Sequence, residues 1–185
     1  MRIKLFKESL NKEYQEMNDN MFDDMDIGPR SVIDKWFKKW APDILDTYTI
    51  DNNLNIKLNN HLILSDSKIT ELPDNLTISG HLDLSGSNII KVPNNLRVFN
   101  TCNLNYTNIT SLPKNIDVHG TLDLRNTKIN ELPKDLIIRG NLNLFDTMIT
   151  KLPKGLVIIG NLYLEKKNFT STPKNLDIRG KIYYR

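Results

Sequence analysis

The chain carries a single cysteine, Cys102, among 185 residues. That excludes an intramolecular disulfide framework and any cysteine-based metal cluster. No apolar run approaches the roughly 20 residues a membrane helix needs. The opening residues, MRIKLFKESLNKEY, turn charged before a signal-peptide core can form, so the expected location is the cytoplasm. No phosphate loop, zinc motif or nucleophile elbow is present, and neither an enzyme nor a cofactor is expected. Charge of one sign is also lacking, with a net of only +3. The balance of charged and apolar residues is ordinary for a soluble protein and too apolar for a fully disordered chain. The length fits one domain with a short appendage.

Of the eight prolines, six are evenly placed: Pro73, Pro93, Pro113, Pro133, Pro153 and Pro173. Cutting the chain every 20 residues from 51 aligns it into six full blocks and a seventh ending at Arg185. With columns numbered 1 to 20, column 6 reads Ile56, Leu76, Leu96, Ile116, Leu136, Leu156, Leu176, and column 8 is Leu, Ile or Val throughout. Column 12 is apolar, with Cys102 in one block, column 14 is Leu until Tyr184, and column 19 is Ile until Phe169. The period-2 spacing at 6/8 and 12/14 predicts two short strands per block. Pro at column 3 forbids a helix on the return leg. Gly at column 10, replaced by Asn60 and Asn100, reads as a turn with positive φ. Ser67, Ser87, Thr107, Thr127 and Thr147 at column 17 suit hydrogen bonds to the backbone of adjacent coils. No block can bury its own apolar side, so the blocks must stack into one continuous core.

The segment LDLRNTKINELPKDL, residues 122–136, resembles the leucine-rich repeat, with Thr or Ser where most families place Asn. The 20-residue period and the Leu-Pro pair are similar to the short repeats of bacterial and bacteriophage proteins, including the repeat region of type III-secreted leucine-rich-repeat effectors. The resemblance covers 51–185. It implies an α+β, mostly β leucine-rich-repeat solenoid of seven 20-residue coils, a fold used chiefly as a recognition surface. The ligase domain of some such effectors has no counterpart after residue 185. If a phage or pathogen encodes the chain, the resemblance implies a host protein as partner and the host cytoplasm as location.

Residues 1–50 lack the repeat and are expected to form a helical N-terminal cap. Phe6, Leu10, Tyr14, Met17 and Met21 recur at helical spacing and predict a helix from about 5 to 19. An acidic stretch, Asp19 to Gly28, ends at Gly28-Pro29, a turn signal. Ser31 then reads as an N-cap with Asp34 three residues on. Ile33, Trp36, Phe37 and Trp40 mark the apolar face of a second helix that stops near Ala41-Pro42. The segment DKWFKKWAP also resembles the helical cap that precedes repeats in the secreted effectors. At the other end, block seven stops after KIYYR, which presents a strand edge. Three outcomes are open there: Tyr183 and Tyr184 shield it, two chains pair through it as a homodimer, or the chain is a fragment.

Alternation places columns 11, 13, 15 and 16 outward, in ladders about 4.8 Å apart. Their early rows are small and polar. Their later rows gather Tyr106, Arg125, Phe145, Tyr163, Lys166, Tyr183 and Arg185. Tyr and Arg are enriched in interface hot spots, so these are the expected contact residues for a protein partner of unknown identity. The alternative is a solvated sheet with scattered aromatics. Two further classes remain: self-assembly through the C-terminal strand, and nucleic-acid binding through a lysine column. That column comprises Lys114, Lys134, Lys154 and Lys174 at position 4, though a basic stripe more often keeps a repeat edge soluble.

His61 and His81 share column 11 at about 5 Å, with Asp83 nearby, but no third ligand is evident, so no metal is expected. Asp83 and Asp123 are about 10 Å apart, beyond glycosidase separation and without a desolvating environment. Cys102 is expected in the core rather than as a nucleophile, with His119 away from it. Phe99, Ile137, Val157 and Ile159 at columns 7 and 9 are either a second apolar patch or an inward turn.

Overall fold

Two runs of alternating apolar residues, six positions apart in every block, become two strands, and the blocks stack with every strand in register. The computed structural model describes residues 28–168 and 176–185. The helix expected over 5–19, most of the acidic stretch, Phe169 and Lys174 lie outside the described residues.

The first helix described, α1 (Pro29–Trp40), buries Val32, Ile33, Trp36 and Phe37. It starts two residues before the expected Ser31 cap. Gly28 is the N-cap residue in an extended conformation, without a side-chain cap bond, and Pro29 supplies the first helical residue, where its fixed φ suits and its missing N–H is not needed. Asp34 accepts a hydrogen bond from the Tyr48 hydroxyl instead, at 2.8 Å. Burial, reinforced by that bond and the nearby carboxylate, pushes the phenol well above its usual range. After Ala41 comes a 3-10 helix, Pro42–Thr47, and then β1 (Tyr48–Ile50). The Phe37 ring stacks on Tyr48 at 4.1 Å, and Trp36 Nε1 donates to the Glu71 carbonyl at 3.3 Å, tying the helix to the solenoid.

Sheet A is built from β1, β2 (Ile56–Leu58), β4 (Leu76–Ile78), β6 (Arg97–Val98), β8 (Asp117–Val118), β10 (Ile137–Ile138), β12 (Val157–Ile158) and β14 (Asp177–Ile178), in that order. Only β1 runs antiparallel, pairing Tyr48 with Leu58 and Ile50 with Ile56. Sheet B stacks β3 (Leu62–Ile63), β5 (Leu82–Asp83), β7 (Cys102–Asn103), β9 (Leu122–Asp123), β11 (Leu142–Asn143), β13 (Leu162–Leu164) and β15 (Ile182–Tyr184). Every parallel pairing joins residues 20 apart, such as Leu82 with Cys102 and Cys102 with Leu122. The protein is thus mostly β, a solenoid of about six turns of parallel sheets with a short helix near the N-terminus.

Columns 2, 6, 8, 12, 14 and 19 line the interior, from Ile56 to Leu164 without a break. Each fully buried aliphatic side chain is worth about 1.5–3 kcal/mol relative to exposure, but only once coils lie above and below it. In the last described coil Leu176, Ile178 and Ile182 pack against the core but are only partly buried.

The turns differ from expectation in two ways. Positive φ falls at column 16, in Asp66, Gly86, Tyr106, Asn126 and Asp146, and at column 5, in Asn75, Asn95, Asp135 and Gly155. Column 10 does not use it. There the requirement is close approach: a Cβ on Gly140 would lie 2.4 Å from the carbonyl carbon of Gly120, and the Gly140 N–H donates to the Gly120 carbonyl at 3.1 Å. The column 17 hydroxyls, in turn, bond within their own coil rather than to adjacent ones. Thr127 Oγ1 donates to the Leu124 carbonyl at 2.7 Å, and Ser67, Ser87, Thr107 and Thr147 repeat that bond. The left-handed residue at column 16 folds the chain back so that the hydroxyl meets the carbonyl three residues earlier, a short-range bond these side chains readily make.

Gly140→Ala is therefore expected to destabilise the solenoid by about 1–3 kcal/mol through overpacking. Asn126→Gly, at a left-handed turn, should shift stability by less than about 1 kcal/mol. Urea denaturation of the two variants beside wild type reads both effects.

Candidate functional site

Sheet B turns a ladder of short side chains outward, and column 13 organises it. Asp83, Asn103, Asp123 and Asn143 each accept the backbone N–H two residues on, from Ser85, Asn105, Arg125 and Phe145, at 2.9–3.3 Å. These Asx turns end the strands and precede the left-handed residue at column 16. The next block breaks the pattern at three places: Tyr163 replaces the Asx residue, and Lys166 and Lys167 occupy columns 16 and 17. The structure responds there. β13 extends to Leu164, the turn becomes a 3-10 helix at Lys166–Asn168, and the Arg185 N–H pairs with the Leu164 carbonyl at 3.1 Å.

That change buries Glu165, at 4% exposure. Its Oε1 accepts from Arg185 Nε at 3.0 Å and from Nη2 at 2.7 Å. Arg185 also pairs with Asp146 at 2.5 Å and lies over the Phe145 ring at 4.9 Å. Phe145 meets Tyr163 edge-on at 5.8 Å, and Tyr163 stacks on Tyr183 at 5.1 Å. Four of the seven expected contact residues, Phe145, Tyr163, Tyr183 and Arg185, thus form one outward cluster. Arg125 lies one coil back, clamped on Asp123 at 2.7–3.0 Å. Tyr106 is 65% exposed at its left-handed turn. Lys166 is exposed on the 3-10 helix and is not among the ring contacts.

On the proline edge, Lys114, Lys134 and Lys154 line one groove of about 750 Å³ together with Lys151, Glu131 and Asp135. The two carboxylates offset part of the basic column. Asp83 and Asp123 are taken up by the Asx turns, and Asp123 is 8% exposed. His61 and His81 stack at 4.9 Å, and the Nδ1 atom of each accepts the column 11 N–H of the next coil, from His81 at 2.9 Å and Thr101 at 3.2 Å. Asn141 and Asn161 do the same with side-chain oxygens for Asn161 and Lys181. Among the described residues no group of three or more His, Cys, Asp or Glu could hold a metal, and no helix is long and apolar enough to cross a membrane.

Sheet A presents the other face. Phe99, Ile137 and Ile159 are exposed and Val157 is half-buried, so these positions face outward and do not form an inward turn. Beside them Asp117 binds Arg97 Nε at 2.9 Å, Arg139 Nη1 at 2.8 Å and His119 Nε2 at 3.2 Å, and His119 lies 4.6 Å from the Phe99 ring. Partial burial works to raise the Asp117 carboxyl. The bonds from Arg139 and His119, with their charges, outweigh it and hold the group below the usual carboxylate range. Column 5 adds a run of carboxamides in which Asn95 Nδ2 donates to Asn75 Oδ1 at 2.6 Å and Asn115 Nδ2 donates to Asn95 Oδ1. The sequence reading missed the Asx turns and this carboxamide run. Their signal was present in the sequence, where column 13 repeats Asp or Asn over four consecutive blocks and column 5 over five.

Two outcomes follow. Cys102 is fully buried, and desolvation, aided by the Asp83 charge, pushes its thiol up to about 12; a disulfide reagent should leave the folded protein unmodified and label it only after denaturation. For Asp117, a depressed folded pKa means stability present above the unfolded carboxylate range and lost as pH falls through the folded value. The stability gap between wild type and Asp117→Asn should thus be full at neutral pH and close below about pH 4, as read by thermal denaturation across pH.

Comparison with known proteins returned no matching family model, no matching curated protein and no matching solved structure.

Proposed function

We propose that the chain is a non-catalytic, cytoplasmic recognition module of the leucine-rich-repeat kind, seven coils long, which binds a protein partner through the C-terminal half of sheet B. The observation that carries this reading is the continuous cluster of Phe145, Tyr163, Tyr183 and Arg185. Aromatic rings and an arginine, supported on paired strands, are the chemistry of an interface hot spot. Their order favours association further. Arg185 is held by Asp146 and Glu165 and the rings by one another, so little side-chain freedom is left to lose on binding. Tyr183 at 43% and Tyr106 at 65% exposure supply apolar area for a partner to cover, with Arg125 and Lys166 at the margin. The leucine-rich reading rests on Leu at columns 12 and 14 and on the Leu-Pro pair at columns 2 and 3; the second parallel sheet at columns 6–8 is an addition to that motif.

The test is affinity capture from lysate of the source cell or its host, after nuclease treatment, with wild type beside a Phe145→Ala/Tyr163→Ala variant. A defined protein retained by wild type and lost by the variant, with an unchanged far-UV spectrum, is the expected result. Capture that disappears with nuclease, or self-association as the sole interaction seen, would replace recognition with nucleic-acid binding or assembly.

A further inference from the structure

The N-terminal half of sheet A carries a groove unlike the aromatic cluster in its chemistry. It holds about 440 Å³ and is lined by Asn55, Asn75, Asn95 and Asn115 of column 5 and by Thr77, Arg97 and Asp117 of column 7, with Leu96 beneath. Its composition excludes several ligand classes. Arg97 and Asp117 form an ion pair, so the lining has no net charge to hold a phosphate. The apolar residue of its lining, Leu96, is fully buried, so a lipid tail has nothing to displace water from. The strands under it, β4, β6 and β8, are paired on both sides, so an extended peptide cannot add as another strand.

What the groove offers is a row of donors and acceptors together. Each carboxamide has two N–H groups and an oxygen with two lone pairs, and the bonds from Asn95 to Asn75 and from Asn115 to Asn95 use part of that capacity while fixing the orientation of the rest. The row repeats about every 4.8 Å along the solenoid. Arg97 engages Asp117 through Nε, which leaves its Nη groups for a ligand. Two residues further along the chain from Arg97 and Asp117, just past the ends of β6 and β8, lie Phe99 and His119, with rings 4.6 Å apart and Phe99 43% exposed. A ligand matching this surface is neutral, carries hydroxyls that both donate and accept in every unit, repeats along its length, and has a C–H face to lie on a ring. We propose that this groove is a binding site for a neutral oligosaccharide, in which the column 5 carboxamides and Arg97 take the hydroxyls and Phe99 takes the apolar face of a sugar ring. The site is independent of the aromatic cluster on sheet B.

Isothermal titration of the full chain with neutral oligosaccharides of glucose, mannose, galactose and N-acetylglucosamine tests this, with a sulfated oligosaccharide alongside. Saturable binding of at least one neutral sugar is expected, weakened about tenfold or more by Arg97→Gln and by Phe99→Ala. It should be unchanged in Phe145→Ala/Tyr163→Ala, and all variants should keep the wild-type far-UV spectrum. Three results would overturn the proposal: no neutral sugar binds, binding ignores both Arg97→Gln and Phe99→Ala, or only the sulfated sugar binds and salt abolishes it.

Discussion

The parallel backbone ladder between coils, with each residue paired to the one 20 positions away, is the constraint on which everything else depends. One residue inserted within a strand would turn the rest of that strand's side chains to the opposite face. A strict period therefore keeps the Leu and Ile columns inside. It also brings the coils so close at column 10 that Gly140 and Gly160 stack backbone on backbone. The core has no centre in the usual sense. It is a column of aliphatic layers, each satisfied by the layers on either side, with α1 packed into the same cluster near the first coils and β1 on the outer edge of sheet A.

Polar side chains maintain the ladder where the backbone leaves it. At the corners the chain cannot keep sheet geometry, and its amide groups need partners. Column 13 Asx side chains, column 17 hydroxyls and column 11 His and Asn acceptors each take one such duty. The abundance of Asn, Asp, Ser and Thr in the repeat is therefore structural first, and it explains why Asp83 and Asp123 have no chemistry to spare.

The proposed protein-binding face lies where this duty lapses. In the block from 151 the Asx residue gives way to Tyr163, the strand lengthens, and Glu165 sinks under Arg185. That departure builds the aromatic cluster on sheet B. On sheet A, the ion-paired Arg97 and Asp117 line the carboxamide groove, and the apolar residues Ile137, Val157 and Ile159 lie in later coils. The two faces thus differ in the chemistry they present.

The sequence by itself determined the repeat, its two strands per block, the inward columns and the outward position of the later aromatics, because burial periodicity is a local property that stacking only amplifies. The second helix was legible in Trp36 and Phe37, though not its start, since Pro29 outcompetes Ser31 for the first turn. Only the tertiary structure decided what each turn column does. Gly140 is glycine because another backbone lies against it, and Thr127 bonds within its own coil because Asn126 folds the chain back. Whether Phe145 meets Arg185 depends on a strand 40 residues away, and the carboxamides become a groove only when four coils align. Such contacts form between blocks, and a pattern read along one block cannot contain them.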